Sequence, residues 1–311
     1  MSSVATDIEI DEHDRVKRLM APDQPVEIVL DTDTYNEIDD QFALVYAIWS
    51  DALAVSAVYA APFDNEKSDG PDHGMELSYE EIHRVLERMN YSAGDDFVFR
   101  GATAFADTAG TAIENPATSD LIERARDRDE DDPLYIVAIG APTNVSLALA
   151  QAPDIIDNIV VVWVGGQPHS WQTAGDFNLC QDLTSSRILF NSGVPLIQVP
   201  AKNVAEHIRT TVPELTRFLD DGGPVSEYLL EIFTGYGEQY NADAWAKEIW
   251  DLAPIAYLVN PSWVPSHLAH SPWLSDDFRY SHDPNRHLIR VARDVNRGPI
   301  FDDFFATLDG R

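Results

Sequence analysis

Short apolar runs alternate with segments of helical spacing along most of the chain. The run "VEIVL" (26–30) is rich in β-branched residues and reads as a fully buried strand. In "DDQFALVYAIWS" (39–50), Phe42, Val45, Tyr46 and Trp49 fall at helical intervals. "ALAVSAVYA" (52–60) is the next strand. "LSYEEIHRVLERMN" (77–90) reads as a helix, with Ser78 as N-cap and Glu81 three residues on as a capping box. "FVFRG" (97–101) predicts a short strand and "TSDLIERARDRD" (118–129) a helix. The alternation continues through strand "LYIVAIG" (134–140), helix "TNVSLALAQAPDI" (143–155), strand "NIVVVWVGG" (158–166), helix "LTSSRILFNS" (183–192) and strand "PLIQVP" (195–200). Residues 212–260 read as helical, and "RHLIRVARDV" (286–295) as a late, antiparallel edge strand. Continuous apolar strands joined by helices predict an α/β fold with a mostly parallel, doubly wound sheet covered on both faces. No linker or internal repeat divides the chain, so one domain is expected over 1–311, with 1–24 as a loose leader or a short helix.

Charge narrows the partners. The chain has 53 acidic residues against 21 Lys plus Arg, a formal net charge of -32. Only four lysines occur: Lys17, Lys67, Lys202 and Lys247. Nucleic acid and anionic membranes would be repelled by such a surface. The 44% hydrophobic content and seven Trp argue against disorder. A folded, acidic, lysine-poor chain fits molar salt, where the Debye length falls to about 3 Å and self-repulsion is screened. A halophilic origin is therefore expected. No run of 18 apolar residues is present, the N-terminus lacks a signal-peptide pattern, and Cys180 is the only cysteine, so a cytoplasmic protein is expected.

One stretch carries the candidate chemistry. "VEIVLDTDTYNEIDDQFAL" (26–44) runs the first strand into Asp31, Asp33, Glu37, Asp39 and Asp40. Two carboxylates about 4 Å apart repel by roughly 4 kcal/mol at an effective dielectric near 20. Either protons are taken up there or a cation sits among them. A turn offering carboxylates and no Cys or His cluster suits Ca²⁺ or Mg²⁺ better than Zn²⁺. In an open parallel sheet, ligands bind beyond the carboxyl ends of strands, where Asp31 and Asp33 fall. The acidic run "DRDEDD" (127–132), by contrast, reads as solvated surface.

Two families resemble this turn. "VLDTDTY" is similar to the Asp-x-Asp-x-Thr/Val opening of the haloacid dehalogenase phosphatases, with Asp31 as nucleophile, Mg²⁺ as cofactor and Lys202 as a phosphoryl-holding lysine, but Tyr35 stands where Thr or Val belongs. The nucleoside hydrolases match more of the chain. "DTDTYNEIDDQFAL" resembles their N-terminal signature, and "VAIGAPTNVSLALAQAPDI" their strand-turn-helix segment with its Thr-Asn pair. "VVVWVGG" with "GDFNLCQD" resembles their Gly-Gly strand and Glu-Phe-Asn segment, and "EIWDLAPIAYLVNPSW" the helix with its leading His-Asp. These four segments, in order, span residues 26 to 263.

The resemblance implies Ca²⁺-dependent hydrolysis of the N-glycosidic bond of a nucleoside by a homo-oligomer, dimer or tetramer. It implies that Asp33 binds Ca²⁺ and acts as general base on a bound water, and that Asp40, Asp251 and the carbonyl of Thr143 complete the ion's ligands. Asp39 would bond a ribose hydroxyl; Asp176, Asn178 and Asn65 would hold the sugar; Asp31 would orient a ligand or the turn from behind. The chain departs from the pattern in four places. Five residues separate Asp33 from Asp39, two more than the family pattern; Asp176 replaces Glu; Trp250 replaces the His before Asp251; and the segment carrying Asn65 is one residue longer. With Trp250 unable to protonate a departing base, His73, His169, Tyr236 and Tyr240 are the remaining acids near the sheet's open end, each more readily explained as packing or surface. Asp251 alone reads as a plain N-cap, and Cys180 as a small buried filler. A non-catalytic nucleoside- or ribose-binding protein on the same scaffold is the third reading.

Overall fold

The structure is a computed structural model that describes residues 10–22, 25–129, 131–220, 222–239 and 244–309. The first strand, β1 (Val26–Thr32), lies mid-sheet, parallel to β2 (Leu53–Ala60) and to β4 (Leu134–Ala138). Beyond β2 lies β3 (Val98–Arg100); beyond β4 lie β5 (Ile159–Val164) and β6 (Leu196–Val199). Two more strands follow β6: Leu288–Ala292, then Ser266–His270. All pairings are parallel except the last. The order is set by burial. β1, β4 and β5 are apolar on both faces and take the centre, where helices cover both sides.

Chain order reverses between β1 and β4. β1 continues into α2 (Asp40–Trp49), whose Phe42, Leu44 and Tyr46 join Ile28 and Leu30 in one apolar layer. β4 continues into the helix Thr143–Gln151, whose Val145 and Ala148 join Val29 in the opposite layer. The two connections part to opposite faces and leave a crevice at the carboxyl ends, the usual ligand position in such sheets.

Four expectations change. The helix read over 77–90 begins earlier, as α3 (Pro71–Arg88), because Pro71 sits favourably in a first turn behind Gly70. Ser78 is then interior and its hydroxyl donates to the Gly74 carbonyl at 3.0 Å, so no capping box forms. Strand Leu288–Ala292 is not the edge: it pairs parallel with β6 and antiparallel with Ser266–His270, an exposed strand that carries the edge itself. The helical reading of 212–260 resolves into Val212–Leu219, Gly223–Glu238 and Leu252–Val259, with the short strand Lys247–Glu248 between the last two. Of the two readings of the leader, the short helix is the one found within residues 10–22: α1 (Glu12–Arg18) is held by Arg15 to the Gly193 carbonyl and by Arg290 to the Leu19 carbonyl. Among the described residues, no helix is long and apolar enough to cross a membrane.

Candidate active site

The alternation of β1 decides what each acid of the turn can do. Side chains of a strand alternate between faces. Ile28 and Leu30 face the α2 layer and Val29 the opposite one, so Asp31 points with Val29 and Thr32 with Leu30. Asp31 is accordingly buried against the helix Thr143–Gln151, where its Oδ1 accepts from Asn144 Nδ2 at 2.8 Å. Thr32 turns to the start of α2 and donates to Asp40 Oδ1 at 2.5 Å. Asp33, just past the strand, enters the crevice and rests against Gly140, where an added Cβ would sit 2.9 Å from its Oδ1. Glycine at 140 is therefore what lets the β4 loop lie against that carboxylate.

Asp39 and Asp40 enter the crevice from the head of α2, and Asp251 from the head of the helix Leu252–Val259. These three offer carboxylate oxygens within 4.8 Å of one another, all buried. Burial, then the charges of Asp39, Asp40 and Asp33, hold the Asp251 pKa well above the usual carboxylate range. Burial, then Asp40 and Asp39, do the same to Asp33. Burial and Asp39 lift Asp40 to about 7 against the Thr32 hydrogen bond, and burial lifts Asp39 to about 6 against the charge of Lys247. Asp31, desolvated and opposed by Asn144, reaches about 7. The buried Asp33 Oδ2 has no hydrogen-bond partner among the described residues. An all-oxygen donor set this crowded takes up protons or a hard divalent cation, and the residues present fit the cation.

The surrounding cavity holds about 630 Å³, enough for a nucleoside-sized ligand. Seven acidic side chains line it: Asp33, Glu37, Asp39, Asp40, Glu66, Asp176 and Asp251. Two surface hollows of similar size, about 540 and 560 Å³, lack such a buried carboxylate cluster. Asn178 lines the cavity with its Nδ2 spent on the Ile139 and Val164 carbonyls, both at 2.9 Å, which turns its amide oxygen to a ligand. Asp176 caps the short helix Phe177–Gln181 while Oδ1 also accepts from Gly166 N at 2.7 Å. Asn65 is in the wall, but both ends of its amide are engaged, with Asn36 Oδ1 at 2.7 Å and Lys67 N at 2.8 Å.

Three placements depart from what the sequence implied, the first being Cys180, expected as a small buried filler and found exposed. Asp39 belongs to the tight trio with Asp40 and Asp251, and Asp33 lines the same cavity outside that trio. Thr143 does not face the cavity: it opens its helix, where its carbonyl belongs to the helix ladder, and its hydroxyl donates to Asp182 at 2.9 Å. Ile139, the residue just past β4, lines the cavity instead. Asp31 is buried behind the turn and is not among the residues lining the cavity, so it is not presented to a substrate as a phosphatase nucleophile. Of the candidate acids, His73 is on the surface and accepts from Asp69 N at 3.0 Å. His169 is bonded to Gln198 at 2.8 Å in a separate small cavity, Tyr236 lines the acidic cavity, and Tyr240 lies outside the described residues.

Sequence reasoning brought only Lys202 to the site, as the lysine of the phosphatase reading, and missed Lys67 and Lys247. Lys67 and Lys202 line the cavity, and Lys247 is buried behind it with Nζ 2.5 Å from Glu37 Oε2. Burial pulls the Lys247 pKa down, but Asp39 and Glu37 outweigh it and the net shift is upward. The available signal was scarcity: three of the chain's four lysines gather at one acidic site.

Comparison with known proteins agrees with this architecture. The family model described as inosine-uridine preferring nucleoside hydrolase matches residues 72–301. The chain is 27% identical over 259 residues to the pyrimidine-specific ribonucleoside hydrolase RihA of Salmonella paratyphi B, covering 75% of this chain and 79% of that one. The corresponding RihA of an Enterobacter species is 26% identical over 258 residues, with the same coverage. Among solved structures, the purine-preferring ribonucleoside hydrolase from Gardnerella vaginalis superposes with a TM-score of 0.73 at 20% identity, covering 91% of this chain and 98% of that one. The inosine-uridine preferring nucleoside hydrolase from Bacillus anthracis superposes with a TM-score of 0.69 at 14% identity, covering 92% and 100%. These structural likenesses establish the shared fold; the family match carries further. The chain belongs to the inosine-uridine preferring nucleoside hydrolase family and is a hydrolase acting on nucleosides.

Proposed function

We propose that this enzyme cleaves the N-glycosidic bond of ribonucleosides with Ca²⁺ as cofactor and Asp33 as the base that activates water. The observation that carries the reading is the meeting of Asp251 with Asp39 and Asp40, within 4.8 Å, from elements more than two hundred residues apart. In this reading Asp40 and Asp251 hold the ion, Asp33 and Asp39 face the same space, and the β4 loop contributes the Ile139 carbonyl rather than that of Thr143. Ca²⁺, when bound, supplies a template for the sugar diol and the attacking water.

The chain's own groups do the rest. Asp33 takes the proton of the attacking water from within the cavity, where its Oδ2 has no hydrogen-bond partner among the described residues. Asp39 accepts from a ribose hydroxyl, and the Asn178 amide oxygen and Asp176 hold the far side of the sugar. The sugar becomes cation-like as the bond breaks, and the carboxylates lining the cavity are already oriented to stabilise it. The acidic surface supports a further element of the proposal, operation in molar salt.

A reducing-sugar assay on inosine, uridine, adenosine and cytidine tests the reading. Ribose release that EDTA abolishes and Ca²⁺ restores is the expected result. Ribose release indifferent to EDTA removes the ion from the proposal, and binding with no release overturns the hydrolysis itself.

A further inference from the structure

Hydrolysis at an acidic site leaves one demand unmet. As the C–N bond breaks, its electron pair moves onto the base, and seven acidic side chains around the cavity repel the resulting anion. A proton donor on the base's side removes that penalty. Resting on the ribohydrolase reading, we propose that Lys202 is that donor, a catalytic residue that protonates the departing base.

Position comes first. Water attacks from the face opposite the base, so a sugar held near Asp33 at the end of β1 directs its base away from that strand. Lys202 follows β6, which lies three strands from β1, roughly 14 Å across the sheet at the usual strand spacing. A lysine side chain reaching back from there meets the base end of a bound nucleoside. The backbone at this point is well fixed. Ala201 N donates to the Gly166 carbonyl at 2.9 Å, and Lys202 N to Gln167 Oε1 at 3.1 Å. Asn203 turns the chain at φ 61°, a left-handed conformation that Asn tolerates better than most residues.

Availability comes second. Lys67 Nζ is directed to the Tyr35 carbonyl at 3.2 Å, and Lys247 is buried in its pair with Glu37. Lys202 Nζ sits 4.7 Å from the Trp250 ring centre and has a loose ion pair with Glu206 at 3.7 Å. The indole shelf holds the ammonium at the cavity wall while leaving N–H groups for a ligand. Trp250 stands where the family pattern has a His, and it holds a cation at the place it cannot supply a proton itself.

The step balances without a further reactant. The C1′–N bond breaks and its electrons go to the base. Lys202 passes one ammonium proton to a base nitrogen or conjugated oxygen and is reprotonated from solvent. Water oxygen bonds to C1′ and its proton goes to Asp33, which releases it to solvent, so the net change is nucleoside plus water to ribose plus base.

The test compares Lys202→Met and Lys202→Arg with wild type on uridine and inosine and on 4-nitrophenyl riboside, whose phenolate departs without protonation. Lys202 is half exposed, and both variants are checked by circular dichroism. For Lys202→Met the expected result is a kcat on nucleosides lower by about 100-fold or more, with the chromogenic riboside within about 3-fold of wild type. Lys202→Arg keeps the charge but gives up no proton, so its nucleoside kcat should stay near that of Lys202→Met, and recovery close to the wild-type rate overturns the assignment. Nucleoside turnover within about 3-fold of wild type overturns the assignment, and so does an equal loss on both substrate classes, which marks a structural role. A wild-type enzyme that cleaves only the chromogenic riboside also overturns it. A wild-type enzyme that cleaves neither substrate refutes the ribohydrolase reading itself.

Discussion

The turn at 31–40 and the run at 127–132 are both crowded with acids, and they end in opposite environments. Asp127, Asp129, Asp131 and Asp132 are exposed at the end of a helix, where Lys17 lies 2.9 Å from Asp131 and Arg128 lies 3.1 Å from Asp132. Asp31, Asp33, Asp39 and Asp40 are buried at the switch point of a parallel sheet, and the pKa of each is raised. The solvated run is the denser of the two, with five acids in six positions against five in ten, so density is not what makes a site. Solvated acids are cheap, and their ion pairs contribute little. Buried acids oppose folding unless a proton or a cation joins them, so their retention points to chemistry.

Substitution should separate the two regions most sharply. Asp33→Ala is expected to cost about 10³-fold or more in nucleoside turnover with circular dichroism unchanged, while Asp131→Asn and Asp132→Asn leave turnover within about 2-fold. Comparable losses in both regions would dissolve the contrast.

A smaller effect is expected from pH in EDTA. A carboxyl whose pKa is raised by folding destabilises the native state fully above its folded pKa and is relieved as pH falls through it. Asp31 and Asp40 at about 7 and Asp39 at about 6 therefore favour folding as pH drops from 8 toward 5. Buried His169 and His287, lowered by burial to about 4 and about 3, act in the other direction over the same range. The difference in Tm between wild type and Asp40→Asn isolates the carboxylates. That difference should shrink on acidification, and Ca²⁺ should stabilise wild type at pH 8 by about 2.7 kcal/mol at 100 times its Kd. A gap that stays constant with pH would show that the cluster is not ionised as a group.

The smallest effect expected in this comparison is that of salt on single surface acids. Dilution from molar salt lengthens the Debye length from about 3 Å to about 10 Å at 0.1 M, so the exposed acids repel one another and Tm falls. Asp132→Asn should soften that fall slightly, and Asp40→Asn should not. A protein whose circular dichroism and activity are indifferent to low salt would exclude the halophilic reading.

Most strands and helices were legible because their signals are local. Apolar runs of five to seven residues, with β-branched side chains, mark β1, β4 and β5, and helical spacing marks α2. The errors share a cause in what lies outside the local pattern. Ser78 fits a capping box, but Pro71 starts the helix about two turns sooner. The segment 266–270 has no strand-like apolar pattern and becomes a strand only because Leu288–Ala292 offers it an edge. At the site, residue types and segment order pointed to Asp33, Asp39, Asp40, Asn65, Asp176, Asn178 and Asp251, and all seven line the cavity. Thr143 was misplaced because one helical turn decides whether a carbonyl faces a crevice or its own helix.

The sequence by itself determined the alternating strands and helices, the acidic balance, and the presence of carboxylates where strands end, since each follows from side-chain type and spacing along the chain. Only the tertiary structure decided that Asp31 turns away while Asp33 turns in, that Asp251 joins acids two hundred residues distant, and that three scattered lysines gather at the same cavity. The physical reason is that pleat direction, strand order and the desolvation of a group depend on neighbours brought together by packing, and no local pattern encodes which neighbours those are.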